Sequence, residues 1–230
     1  IDKKNNFQLL SHKFEGETQL LEIKYKKSIH KIKLNLIGKV QFKNVLMAII
    51  GSIKSNISIK DIFSVLPKIK SVNGRFEKIG KIKNNSKVIL DYAHTPDALE
   101  TALKAMKPHV LGRLIVVFGA GGDRDQYKRP LMGAAARDHA DKIFITDDNP
   151  RSEDPDMIRK MILTKCPGAT EIGDRAEAIL TAVDFLQPGD TLLVAGKGHE
   201  TGQIVGDDVL PFNDVEQASV AVCALDGLGS

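Results

Sequence analysis

Apolar and polar residues alternate at two places early in the chain, Gln19 to Tyr25 and Ile29 to Leu36, separated by Lys26-Lys27-Ser28. A period of two interrupted by a short polar segment predicts a β-hairpin or neighbouring strands. The pattern then lengthens. Val45 to Ile53 is apolar over helical length with Asn44 at its front, and Ser58 caps a second helix, Ile59 to Leu66, closed by Pro67. Asn73-Gly74 is a turn signal and marks the expected boundary between a unit of residues 1–73 and one of residues 74–230.

Beyond that boundary strands and helices alternate. Strands are expected at Phe76–Ile82, Val88–Asp91, Leu114–Phe118, Ile143–Thr146, Ala169–Ile172 and Thr191–Ala195. Helices are expected at Pro96–Met106, Arg129–His139, Pro155–Leu163, Arg175–Leu186 and Val215–Ala224. An uninterrupted apolar strand such as Leu114-Ile115-Val116-Val117-Phe118 needs a sheet covered on both faces. The fold class this predicts is α/β, a Rossmann-like doubly wound sheet over residues 74–230.

Composition narrows the function only a little. With 230 residues there is ample chain for a core, and no apolar run approaches the roughly 18 residues of a membrane span. Ile1 to Asn6 has neither an initiator methionine nor the apolar core of a signal peptide, so the chain reads as the interior start of a longer protein. Cys166 and Cys223 lack metal-binding spacing and fit a reducing cytoplasm. The net charge of +4 hides a division: residues 1–90 hold 19 cations against 6 acids, net +13, and residues 91–230 hold 14 against 23, net −9. The basic half has no aromatic stacking platform, so a solvated lysine face is preferred to nucleic-acid binding.

The chemistry collects at strand ends. After Ile143–Ile145 comes Thr146-Asp147-Asp148-Asn149-Pro150-Arg151, then a helix start with capping side chains. Ligands of open α/β sheets bind at the carboxyl ends of strands, so Asp148, Asn149 and Arg151 are expected to face one crevice. An arginine that forks onto a carboxylate, beside an acid that takes an ammonium, suits a zwitterion; the plainer alternative is a polar loop with a surface ion pair. Gly119-Ala120-Gly121-Gly122-Asp123-Arg124 is a poor dinucleotide fingerprint, since Asp and Arg stand where an open backbone is needed. It is better read as a glycine turn presenting Arg124 to the same crevice. Gly196-Lys197-Gly198-His199-Glu200 lacks the phosphate-loop spacing and offers Glu200 as the anion for an ammonium, or merely an exposed acid. Asp91 and His94, flanking a proline-initiated helix, are expected to face the crevice too, and Arg75 offers a cation to a phosphate or an interdomain pair.

Taken in order, Gly74-Arg75-Phe76-Glu77, Asp91-Tyr92-Ala93-His94-Thr95-Pro96, Gly121-Gly122-Asp123-Arg124-Asp125 with Lys128-Arg129-Pro130, Asp148-Asn149-Pro150-Arg151 and Gly196-Lys197-Gly198-His199-Glu200 resemble the carboxyl-terminal part of the Mur ligases, in particular the diaminopimelate-adding ones. The resemblance is dense from Val72 to about Asp214 and thinner from Gly38 to Ala48. It implies that residues 1–73 are the tail of a central P-loop-type ATP-binding domain, with a Rossmann-like third domain following. It also implies a cytoplasmic ligase of peptidoglycan precursor synthesis, using ATP and Mg2+ to join meso-diaminopimelate to UDP-N-acetylmuramoyl dipeptide. By the same resemblance Arg124, Asp148, Asn149, Pro150, Arg151, Gly196 and Glu200 meet diaminopimelate, while Asn44, Arg75 and Asp91 lie near the adenine, phosphates and ribose of ATP. Gln41 departs from the family's usual asparagine, and the family's P-loop, metal ligands and modified lysine are not in this chain. No metal ligand or catalytic residue is therefore assigned, and the chain alone is expected not to complete the reaction. A non-catalytic amino-acid or nucleotide module, and another Mur-type or folylpolyglutamate-like ligase, are the alternatives.

Overall fold

A computed structural model describes residues 7–16, 18–80, 82, 85–225 and 227. Ile1 to Asn6, and Lys81 within one expected strand, lie outside the described residues. The chain divides into two compact units, Ile1–Ser71 and Val72–Ser230.

The first unit is a three-stranded antiparallel sheet, β1 (Phe7–Glu15), β2 (Thr18–Tyr25) and β3 (Ser28–Leu34), followed by α1 (Lys39–Lys54) and α2 (Ile59–Val65). Leu21 and Ile23 of β2 and Ile32 and Leu34 of β3 pack with Phe42, Val45, Ile49, Ile62 and Leu66. The expected hairpin is there, but β1 was not anticipated, because its residues are at most half-buried and alternate weakly. Ser58 caps α2 by accepting from the Asp61 N–H. Asn44 is a correction. It lies exposed inside α1 rather than at its front, since the buried series Phe42, Val45, Ile49 starts the helix a turn and a half earlier.

In the second unit the elements are β4 (Glu77–Ile79), β5 (Lys87–Asp91), α3 (Pro96–Met106), β6 (Leu114–Phe118), α4 (Lys128–His139), β7 (Lys142–Ile145), α5 (Pro155–Leu163), β8 (Thr170–Glu171), α6 (Arg175–Asp184), β9 (Thr191–Ala195), β10 (Gly202–Val205), β11 (Asp208–Pro211) and α7 (Asp214–Leu225). Six strands pair in the order β4-β5-β9-β6-β7-β8, all parallel except β4, which runs antiparallel on the edge. Strand β9, late in sequence, lies between β5 and β6, so every loop that leaves the carboxyl end of β5, β6, β7 or β9 converges on one rim.

Ile115, Val117, Leu192 and Val194 face α6 and α7, whose Ala178, Ile179, Ala182, Ala218 and Val222 complete that core. Val116, Phe118 and Leu193, on the other face, are as fully buried, beneath the layer of α3, α4 and α5. The central strand β6 is apolar throughout because neither of its faces meets water, whereas the edge strands β4 and β8 keep Glu77, Lys78 and Glu171. Thr95, Asp154 and Asp174 accept backbone N–H bonds that start α3, α5 and α6. The hairpin β10–β11 has no counterpart among the elements expected from sequence; its strands are exposed or half-exposed and carry no buried alternation.

Candidate functional site

At the carboxyl rim of the parallel strands lies a cavity of about 310 Å³. It is bounded by Tyr92, His94 and Thr95 after β5, Gly119 to Gly121 with Arg124, Asp125 and Lys128 after β6, Asp148, Asn149 and Arg151 after β7, and Gly196 and Glu200 after β9. Six of the seven residues expected to meet the amino acid thus line one space. The seventh, Pro150, is not in the lining; its carbonyl packs against Gly122, where any β-carbon would collide with it. The glycines after β6 therefore let two loops touch, which explains a glycine turn with no dinucleotide spacing. Gly196 is equally constrained: its φ of 122° suits glycine, and a β-carbon there would sit 2.7 Å from an Asp148 carboxylate oxygen.

Arg151 has a left-handed backbone, φ 52°, unusual for a residue with a side chain. Hairpin β10–β11 holds it there. The Arg151 N–H donates to Ile204 O at 3.0 Å, and the Gly206 N–H donates to Arg151 O at 2.8 Å. Its guanidinium donates through Nη1 to Gly122 O at 2.9 Å and more weakly to Asn149 O at 3.3 Å. Arg124 is exposed, and its guanidinium donates to the carbonyl of its own neighbour Asp123. Both planar cations thus keep N–H groups for a ligand carboxylate. In the same cavity, Asn149 Nδ2 donates to Glu200 Oε2 at 3.2 Å.

Sequence reasoning missed the shell that holds these groups. Arg129, fully buried, donates twice to Glu153, whose carboxylate also takes the Asp123 N–H; the guanidinium first, and that N–H, hold Glu153 below the usual carboxylate range. Asp123 is itself lowered by accepting from the Ser152 hydroxyl and N–H. Arg159 ties Asp147, Asp156 and Glu171 together; burial nevertheless leaves Asp147 above its ordinary value, against the pull of Arg159. Arg175 and Asp214, both without exposure, form a bidentate pair, and Arg175 also donates to Ala195 O and Asp147 O. Arg129 lies in the Lys128-Arg129-Pro130 motif, whose bracing role the sequence did not show, whereas Arg159 and Arg175 stand on helices with no motif around them, and only a charged residue at a core-facing position hinted at them.

Lys128 lines the cavity and donates to His94 O at 3.1 Å; desolvation lowers its pKa despite the nearby Asp148. The Asp91 expectation needs correcting. Its carboxylate is buried away from the cavity and accepts from the Phe76 and Ala93 N–H groups, at 3.1 and 3.0 Å. Burial raises its pKa more than those bonds and Arg75 lower it. His94 does face the cavity, its Nδ1 donating to Tyr92 O. Arg75 is exposed and lies over the Tyr92 ring, 4.5 Å from its centre.

The sequence model of the Mur ligase glutamate ligase domain matches residues 74–198, more than half of the chain. The chain belongs to the Mur ligase family. This Mur ligase chain is 47% identical over 210 residues to the UDP-N-acetylmuramoyl-L-alanyl-D-glutamate–2,6-diaminopimelate ligase of Bradyrhizobium diazoefficiens, covering 91% of this chain and 43% of that protein. The enzyme of the same name from Brucella melitensis is 45% identical over 225 residues, covering 97% of this chain and 46% of its own. A solved structure of a ligase so named superposes with a TM-score of 0.74 at 32% identity, over 97% of this chain and 46% of the other. The chain therefore spans a little under half the length of the relatives it matches. Glu200 and the hairpin that braces Arg151 lie just past the matched residues, so the family model stops short of completing the cavity.

Proposed function

We propose that this chain is the amino-acid-receiving part of an ATP-dependent ligase that joins meso-diaminopimelate to UDP-N-acetylmuramoyl-L-alanyl-D-glutamate in peptidoglycan precursor synthesis, in the cytoplasm. One observation carries the reading: Arg124 and Arg151 line a single cavity together with Asp148, Asn149 and Glu200. Diaminopimelate has a distal carbon bearing both an ammonium and a carboxylate. Arg151 with Arg124 receives that carboxylate, and Glu200 receives the ammonium. The proximal amine is then free to attack an acyl phosphate made with ATP on the D-glutamate side chain. The C–N bond forms, the C–O bond to phosphate breaks, and the amine gives up a proton.

Residues 1–73 belong, on this reading, to the tail of the central ATP-binding domain, with Asn44 towards adenine, and Arg75, just past that boundary, is assigned to the phosphates. Asp91 is proposed to shape the ribose side through the backbone it caps rather than by direct acceptance. Among the described residues no group of three or more His, Cys, Asp or Glu side chains has the geometry to hold a metal ion. By the family resemblance, the Mg2+ ligands and most phosphate contacts are assigned to parts of the whole protein outside this chain, and no step is placed on them here.

Lysine has only hydrogen where diaminopimelate has its distal carboxylate, so with lysine the arginine pair stays unpaired. In the whole protein Arg151→Ala is expected to lose about 2–5 kcal/mol towards diaminopimelate, roughly 30- to 5000-fold in kcat/KM, and little towards lysine. Measuring both specificity constants beside a thermal melt tests this. An unchanged ratio between the two substrates would remove Arg151 from the site.

A further inference from the structure

Lys197 is, among the described residues, the only lysine with no exposure, and it does not line the cavity. Its ammonium donates to Asn149 Oδ1 and to Gly202 O, each at 2.8 Å, and lies 3.8 Å from Glu200 Oε2. Desolvation pulls its pKa down, opposed first by Asp148, so the buried charge is held against a real penalty. What that charge accomplishes is geometric. Asn149 Oδ1 takes a second donor, the Ile204 N–H at 2.9 Å. An asparagine amide turned the other way would set its NH2 against both donors, so the carbonyl is fixed inward. The NH2 then points at Glu200 Oε2.

We propose that Lys197 is a positioning residue for the amino acid: by locking the Asn149 amide it sets the direction of Glu200, so that Glu200 Oε1 is left to receive the substrate ammonium. The same amine holds the Gly202 carbonyl at the start of β10, and so the hairpin that keeps Arg151 left-handed. The inference rests on reading the cavity as the diaminopimelate site.

The test compares Lys197→Met, which keeps length but removes every donor, with Asn149→Ala, their double variant and Arg151→Ala, all in the whole protein. Lys197→Met is expected to raise KM for diaminopimelate about 10- to 100-fold, leaving KM for ATP in place. The double variant is expected to lose less than the product of the two single losses, since Lys197 and Asn149 share one contact while the Gly202 contact belongs to Lys197 alone. If Lys197→Met fails to fold, Asn149→Asp carries the test: it keeps an acceptor for Lys197 and Ile204 but turns a second acceptor towards Glu200. It is expected to raise KM for diaminopimelate without lowering Tm, and an unchanged KM overturns the inference. So does a Lys197→Met loss that multiplies with that of Asn149→Ala, or one shared equally by both substrates alongside a lower Tm. If Arg151→Ala is harmful and Lys197→Met harmless, only the role of Lys197 falls. If Arg151→Ala leaves diaminopimelate untouched, the site reading fails and takes this inference with it.

Discussion

At the amino-terminal ends of the parallel strands, Asp190 before β9 accepts from Arg113 N–H, Nε and Nη2 and from the Gln187 N–H, while Asp141 before β7 accepts from the Leu114 N–H and Lys107. At the carboxyl-terminal ends the same residue types stand in longer loops. There, among the described residues, the Arg124 side chain donates to a neighbouring carbonyl, and Glu200 takes the Asn149 amide, with the Tyr92 hydroxyl also engaging it and Lys197 more distant. One end uses Asp and Arg to close short turns, and their hydrogen-bonding capacity is filled from within. The other leaves capacity facing a cavity. Charge alone does not distinguish a brace from a binding group; how much of its valence the fold has already filled does.

The strongest test of that contrast lies directly beneath the open rim. Arg175 and Asp214 are at the cavity end but have no exposure and no unfilled geometry, so they should behave like the closed end. Asp214→Ala strands a buried guanidinium and is expected to lower stability by about 3–5 kcal/mol, read from urea unfolding of this chain. A loss below about 1 kcal/mol would mean that position along the strands, not satisfaction, governs stability.

The next effect is smaller and depends on pH. At Asp190 burial pushes the carboxyl up, yet the Arg113 side chain and the Arg113 and Gln187 N–H groups outweigh it and hold the group below its ordinary value. A lowered pKa in the folded state makes the ionised form the stabilising one. Its contribution is complete above the unfolded value near 3.9 and is lost as pH falls through the lower folded value. Asp190→Asn is expected to cost about 1–3 kcal/mol at neutral pH and to flatten the dependence of the urea midpoint on pH below about 4. An acid limb identical to that of the parent chain would show that Asp190 is no brace.

Arg124→Ala should have the least effect on the fold, within about 0.5 kcal/mol in the same unfolding assay, because nothing distant relies on its side chain. On the proposed reading of the cavity, diaminopimelate binding by the whole protein should fall nonetheless. A stability loss above about 1 kcal/mol would reclassify Arg124 as a brace and dissolve the contrast at its open end.

Local pattern sufficed for much of this. The apolar run Leu114 to Phe118, the proline starts of α3 and α5, and the motifs Gly119 to Arg124, Asp148 to Arg151 and Gly196 to Glu200 all sit where period, caps and turn residues put them. Such signals come from neighbours in sequence, which is why they are legible there. Tertiary structure alone decided the rest. It inserted β9 between β5 and β6 and so brought four loops to one rim. It turned the Asp91 carboxylate onto backbone N–H groups and away from the cavity, and it placed Asn44 within α1. It held Arg151 left-handed against a hairpin whose exposed strands carry no buried alternation, and it brought Lys197 to Asn149, Arg175 to Asp214 and Arg129 to Glu153, partners 48, 39 and 24 residues away in sequence. Whether a charged side chain is free or consumed depends on groups that meet it only after folding, and no spacing along the chain encodes that.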